Sequence, residues 1–460
     1  MDIISFYFDL TSNYLSIYLL LPLITIFLVV VIARPQVMVF IVAFILPFNT
    51  SGGQFGQDSI LIQGAKILLH VAVYSLILLS LDVIFSKKYF KDAIFLRKPL
   101  QLWILSLIFS VLLGFYFSNN PSYIFRESNW LLYYLFLLPV IKFVKTKRQI
   151  ILLLVFMTIG LIIVQIMSFN YLVSGQRFGR SDWGGGLSFI RLLFSESARF
   201  VLLTALAFLV IDITSNWLSF MSRSFILTLV IFLFAGLIGS FGRFLWFSFG
   251  MGVIFMIYRS GFSIKILRYS IVFCIIALSA FAVVSYLDNQ SIESSGDLFG
   301  SINYFLNNVD DASSIGRIWE FKTAIAAWMY SPLFGVGFGH DFGYNPLYDE
   351  FSGDLDRFFI HNSYASILAK QGLFGFLVFV VLVIRSFQLM NVLWLNNYLS
   401  NFEKSIILGC MASLFSILIH SVSGPSISTG DSIIQATINL GLPISINRLV
   451  LFRCHNLFIK

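Results

Sequence analysis

Apolar runs separated by short polar breaks recur along nearly the whole chain. A helix rising 1.5 Å per residue needs roughly 17–25 apolar residues to cross about 30 Å of hydrocarbon. The pattern predicts such helices near residues 14–33, 37–49, 60–85, 100–117, 128–144, 150–173, 198–212, 224–240, 243–258, 266–286, 363–385, 404–421 and 432–448. The expected fold is an all-α integral membrane protein of about 12–13 transmembrane helices, with residues 1–460 forming a single polytopic domain. The run after Arg34 and Pro35 is short and reads as a re-entrant or interfacial piece.

One long stretch breaks the rhythm. Residues 287–362 are polar and form an expected large loop. Within it Ile318, Phe321, Ile325 and Trp328 recur at helical spacing, which predicts an amphipathic helix over residues 316–330 lying on the membrane surface. Ser331, Pro332 and the glycines of FGVGFG then end that helix. We expect those glycines to be mobile enough to shape a lateral opening.

Composition agrees with the pattern: 58% of residues are hydrophobic and 11% charged, with a mean hydropathy of +0.89. Such values lie outside the range of soluble domains. No positively charged stretch precedes the first apolar run, so that run is expected to stay as a helix and not to be a cleaved signal. Cys274 and Cys410 lie in apolar segments and Cys454 in the basic tail, a spacing that makes neither a disulfide framework nor a metal site.

The net charge of +8 is explained by topology. Lys87, Lys88, Lys91, Arg97 and Lys98 form one cluster, Lys142, Lys145, Lys147 and Arg148 a second, and Arg259, Lys265 and Arg268 a third. Each falls between two apolar spans, as the positive-inside rule requires, and no nucleic acid partner is implied. Alternation then places residues 118–127, 174–197, the turn at Ser240–Arg243 and the large loop on the outside. Arg385, Lys404 and Arg448 fall inside.

Against that sorting, the outer loop 174–197 and the residues just after it carry Arg177, Arg180, Arg191 and Arg199. An external anionic ligand would explain this excess, as would snorkelling of Arg191 and Arg199 at a helix end. Arg243 interrupts an otherwise apolar run from Phe225 to Tyr258. An arginine at the bilayer centre costs about 2.5–3.5 kcal/mol on insertion scales, so the small residues before it predict a break that brings it to the outer surface. Arg317 stands at the start of the amphipathic helix and His361 at the outer boundary of a span. A histidine exchanges protons near neutral pH; His420, also near the outer surface, and His340 in the loop compete with His361 for that role. His70 reads as a packing residue one turn from Lys66. The spacing of Asp354 and Asp356 resembles a metal-binding carboxylate pair only weakly, and no metal site is expected.

These residues resemble the O-antigen ligase and Wzy-type polysaccharide polymerase group. The resemblance runs through Arg243 after small residues, Arg317 and Trp319 followed by Pro332, Gly335, Gly337 and Gly339, and His361–Asn362 followed by Gly372 and Gly375. It covers roughly residues 170–390. It implies a GT-C-like fold with one large periplasmic loop, seated in the bacterial inner membrane with its active site facing the periplasm. The implied reaction takes glycan from undecaprenyl pyrophosphate and passes it to a growing lipid-linked glycan (polymerase) or to the lipid A core (ligase), without cofactor or metal. Membrane lipids and a chain-length regulator are further implied partners. His361, Arg317 and Arg243 are the implied catalytic residues, and Arg177, Arg180 and Arg199 the implied substrate-binding ones. Guanidinium groups suit the growing charge on a pyrophosphate leaving group because each can hold two oxygens at once. The arginine-rich outer loop, together with the His361–Gly375 segment, leans toward the polymerase. The acidic stretch between Tyr344 and Arg357 departs from the family pattern. A lipid-linked oligosaccharide flippase is the rival reading, although transporters of that kind are built from two related halves and no internal repeat is seen here. A non-enzymatic envelope scaffold is the third.

Overall fold

The computed structural model describes residues 30, 33–51, 60–86, 89, 94–173, 195–240, 243–261, 312–343, 358, 360–427 and 430–458. Among these residues the regular structure is helical: α1 (Pro35–Ser51), α2 (Ile60–Leu78), α3 (Ile94–Tyr116), α4 (Pro121–Tyr134), α5 (Leu137–Phe143), α6 (Lys147–Val173), α7 (Glu196–Ser215), α8 (Phe220–Gly239), α9 (Arg243–Ser260), α10 (Ala312–Tyr330), α11 (Ser363–Trp394), α12 (Asn401–His420) and α13 (Gly430–Phe458). Seven helices among the described residues are long and apolar enough to cross a membrane, and Pro35–Phe48 and Phe244–Ser260 are shorter apolar helices. The chain is an all-α integral membrane protein. The spans expected at 14–33 and 266–286 lie wholly or mostly outside the described residues.

The helices start where local chemistry tells them to. Ser195, Ser219, Asn362 and Ser400 cap α7, α8, α11 and α12 by accepting a hydrogen bond from a first-turn backbone N–H, and Ser400 forms a reciprocal capping box with Glu403. Asn120 caps α4 and Pro121 occupies its first turn, so this helix begins well before the expected residue 128. It stops at Tyr134, and α5 resumes at Leu137; the single span expected over 128–144 is two shorter helices.

Antiparallel contacts sort the helix termini into two ends. At one end Arg223 pairs with Asp212 at 2.7 Å, Lys147 lies 4.9 Å over the Phe402 ring, and Arg448 bonds the Ile141 carbonyl at 2.5 Å. This is the basic end. At the opposite end Ser363, the first residue of α11, takes the Ser421 carbonyl at 3.0 Å just beyond α12. The helices α7, α9 and α11 begin at this second end, and α3, α8 and α12 finish there.

The short piece at 37–49 is a helix packed into the core: Met38, Val39, Val42 and Leu46 are buried, and α6 closes on it where Gly160 meets the Phe44 backbone. One expectation is corrected. The glycines of FGVGFG are not a mobile element; residues 335–339 are buried and tied into the bundle. The reason is a break in α11. Gly372 leaves the helical path (φ 65°, ψ −170°), which frees the carbonyls of Ala369 and Lys370 and the N–H groups of Leu373 and Phe374. Val336 and Gly337 donate to those carbonyls at 2.8 and 3.1 Å, and Pro332 and Leu333 accept from those N–H groups at 2.8 and 3.0 Å. Buried backbone groups must find partners, and here the loop supplies all four.

Candidate functional site

Helix α10 lies across the non-basic end of the bundle against α11. It buries Glu320, Ala324 and Ala327, and turns Ile318 and Phe321 outward. The apolar residues that predicted this helix form its outer face, as suits contact with lipid. Its packed face is made of alanines, which allow close approach, and one carboxylate.

That carboxylate is the group that hydropathy does not reveal. Glu320 accepts from the His361 backbone N–H at 2.8 Å and faces His361 Nδ1 at 2.9 Å with both oxygens. The imidazole is thereby held through Nδ1. His361 is about one-third exposed, whereas Glu320 is buried. Arg317 lies one turn before Glu320 on α10 and is exposed. The sequence did carry one signal for Glu320: it is a lone acid on an otherwise apolar helix face, three residues after Arg317.

A second imidazole stands nearby in the fold. His420 ends α12, and Ser421 after it accepts from the N–H of Ser363, two residues on from His361. Its Nδ1 faces Glu196 Oε1 at 3.1 Å and contacts the Ser426 hydroxyl, which donates to the same oxygen at 2.8 Å. Glu196 is ion-paired with Arg199 one turn later on α7. Arg199 reaches Ser248 on α9 at 2.8 Å. Glu320 bonds His361 one turn after Arg317, and Ser363 bonds Ser421 just after His420, so Arg317 stands at the same end of the bundle as both histidines.

Arg243 opens α9 after the break, as the small residues before it predicted; its side chain lies outside the described residues. The next residue, Phe244, brings its ring to 6.2 Å from that of His420, so this helix start borders the same cluster. Arg177, Arg180 and Arg191 lie outside the described residues, as does the acidic stretch with Asp354 and Asp356. Arg199 is neither a loop residue nor a snorkelling anchor. It is fully buried in the first turn of α7. His70 contacts the Tyr133 hydroxyl at 2.7 Å, away from this cluster. His340 packs edge-on against Phe342, and burial, then the Lys370 charge, hold its pKa below the usual histidine range.

A further ion pair fixes the glycine loop beneath the site. Lys370 of α11 contacts Glu127 of α4, both buried, and also donates to the Phe358 carbonyl at 2.8 Å. Glu127 in turn accepts from the Gly339 N–H at 2.6 Å. Among the described residues no cluster of histidine, cysteine and acidic side chains could hold a metal ion.

Residues 227–380 match the family model described as O-antigen ligase. This segment runs from α8 to the first half of α11 and contains Arg243, Arg317, Glu320 and His361. Over this stretch, about a third of the chain, the protein is similar to the O-antigen ligase family, as its motifs suggested. The match supports, in general terms, a function of the O-antigen ligase and polymerase type. No curated protein matches the chain.

Proposed function

We propose that the chain transfers glycan from undecaprenyl pyrophosphate to a hydroxyl of a second lipid-linked glycan, at the periplasmic face of the bacterial inner membrane. One observation carries this reading: Glu320 orients His361 on the helix that also presents Arg317. With Nδ1 turned to the carboxylate, Nε2 is assigned as the base. In the proposed step the acceptor hydroxyl oxygen attacks C1 of the donor sugar and its proton passes to His361 Nε2. The C1–O bond to pyrophosphate breaks, and its electron pair leaves on the phosphate oxygen. Arg317 and Arg243 stabilise that developing charge, with Arg177 and Arg180 recruiting the anionic donor. The periplasmic assignment rests on the basic residues gathered at the end of the bundle away from His361. A chain-length regulator remains a proposed partner of this reading.

The arginine-rich segment before α7 favours a polymerase. The printed description of the matching family favours the second reading, a ligase that delivers polymer to the lipid A core. Glycan profiling of a deletion strain separates the two. Single repeat units on the lipid A core mark a lost polymerase, whereas full-length polymer stranded on undecaprenyl pyrophosphate marks a lost ligase. In purified protein with a lipid-linked donor, His361→Ala and Arg317→Ala should abolish transfer at unchanged abundance; near wild-type transfer by either variant removes the role assigned to that residue.

A further inference from the structure

The cluster holds a second oriented imidazole that the proposed reaction does not use. Only one proton leaves an acceptor hydroxyl, and His361 accounts for it. His420 nevertheless rests on a costly support, the Glu196–Arg199 ion pair, with Arg199 fully buried and Glu196 nearly so. Burying charge is unfavourable unless the geometry compensates. The two rings share one feature: each turns Nδ1 toward a carboxylate. For His420 the carboxylate and the Ser426 hydroxyl both lie at Nδ1, so Nε2 is an unprotonated acceptor.

Gly424 leaves room for the ring: a Cβ there would stand 2.9 Å from His420 Cε1, 3.1 Å from Nε2 and 3.3 Å from Nδ1, so any other residue would press on this side of the imidazole. The ring is about one-fifth exposed. Phe244 brings its ring to 6.2 Å from that of His420, which sets this acceptor near the start of α9, where Arg243 is proposed to help hold the pyrophosphate.

We infer that His420 is a donor-specificity residue: its Nε2 accepts a hydrogen bond from a hydroxyl of the sugar attached to pyrophosphate, while the buried Glu196–Arg199 pair fixes its tautomer. A neutral nitrogen lone pair suits a sugar hydroxyl and is a poor partner for phosphate oxygens, which also only accept. This inference rests on the glycan-transfer reading above.

The test compares two probes on the purified full-length chain in nanodiscs: undecaprenyl pyrophosphate alone, and the undecaprenyl-pyrophosphate-linked glycan that accumulates in a strain lacking this chain. One neutral hydrogen bond contributes around 0.5–1.5 kcal/mol, so His420→Phe should bind the glycan-bearing probe roughly 2- to 13-fold more weakly. Its affinity for the bare lipid should not change. Gly424→Ala, which crowds the imidazole and forces it from this position, should give the same selective loss, and His420→Gln, with an amide oxygen near the Nε2 position, should recover part of it. Equal weakening for both probes would identify a phosphate contact or a general structural role and overturn the inference, as would wild-type affinity for both. If instead the wild-type chain binds neither probe and transfers nothing, the glycan-transfer reading itself fails and this inference falls with it. Wild-type transfer alongside an unaffected His420→Phe variant overturns only the inference.

Discussion

Glu320 holds His361 at two points, accepting from its backbone N–H at 2.8 Å and facing its Nδ1 at 2.9 Å. The first contact fixes where the residue sits at the entry to α11, and the second fixes how its ring is turned and which nitrogen is basic. A carboxylate on α10 thereby decides the chemistry available on α11.

Glu320→Gln keeps the shape but offers one oxygen where two were used. General acid–base catalysis contributes about 10²–10⁴-fold, and losing ring orientation should forfeit at least about tenfold of it. We expect turnover to fall while binding of the lipid-linked donor stays within a factor of about two, and the acidic limb of the pH–rate profile to move. Steady-state rates across pH, paired with a donor-binding measurement, check this; an unchanged pH profile would separate Glu320 from the histidine.

Lys370 and Glu127 make a buried ion pair between α11 and α4. Removing one partner strands the other charge, so Lys370→Met alone or Glu127→Leu alone should destabilise the fold by about 3–5 kcal/mol. The double variant should be markedly more stable than either single one. Thermal unfolding in detergent reads the difference, and additive losses in the double variant would argue that the two residues act separately.

Gly337 has φ +78°, and a Cβ there would run into the backbone of Gly114 on α3. Gly337→Ala combines a left-handed strain of roughly 1–2 kcal/mol with that collision. Lower yield of folded protein is the expected result, whereas Gly343→Ala, at φ +82° with open space around it, should bear the strain alone.

His340 titrates below the usual histidine range because burial, and then Lys370, disfavour its charged form; Asp341 opposes them. A lowered folded-state pKa means that the unfolded chain takes up the proton first as pH falls through about 6.5. This group therefore contributes stability above that pH, lost on acidification until the folded pKa is passed. His340→Gln should flatten that part of the stability–pH curve, measured as melting temperature between about pH 7 and 5.

Sidedness is open to direct labelling. With Cys274, Cys410 and Cys454 replaced by serine, Lys322→Cys on α10 should react with a membrane-impermeant maleimide added to spheroplasts. Asn397→Cys, between α11 and α12 at the basic end, should react only after lysis. The reverse pattern would put the His361 cluster on the cytoplasmic side.

Much of the architecture was legible in the sequence because lipid imposes a one-dimensional code. The break at Ser240–Arg243, the amphipathic α10 and the alternation of basic ends all follow from hydropathy and charge. The start of α4 was not, because Pro121 and Asn120 speak through capping and the following residues are only moderately apolar. The site was legible only in part. Arg317 and His361 stand out as polar residues at boundaries, but Glu320 gains its meaning from a histidine 41 residues away. Glu196 gains its own from one 224 residues away. Arg199 was misjudged for the same reason, since nothing local announces that Glu196 and Ser248 will enclose it. Charge scans find cations; they do not find what neutralises them.

The interruption at Gly372 divides the longest described helix into two pieces with separate anchorage. Residues 363–371 follow the loop and the α4 carboxylate, while the remainder follows its bilayer-embedded neighbours. A change in bilayer thickness that tilts the lower piece need not carry His361 with it, so the contact between α10 and α11 can keep its alignment across membranes of differing lipid composition.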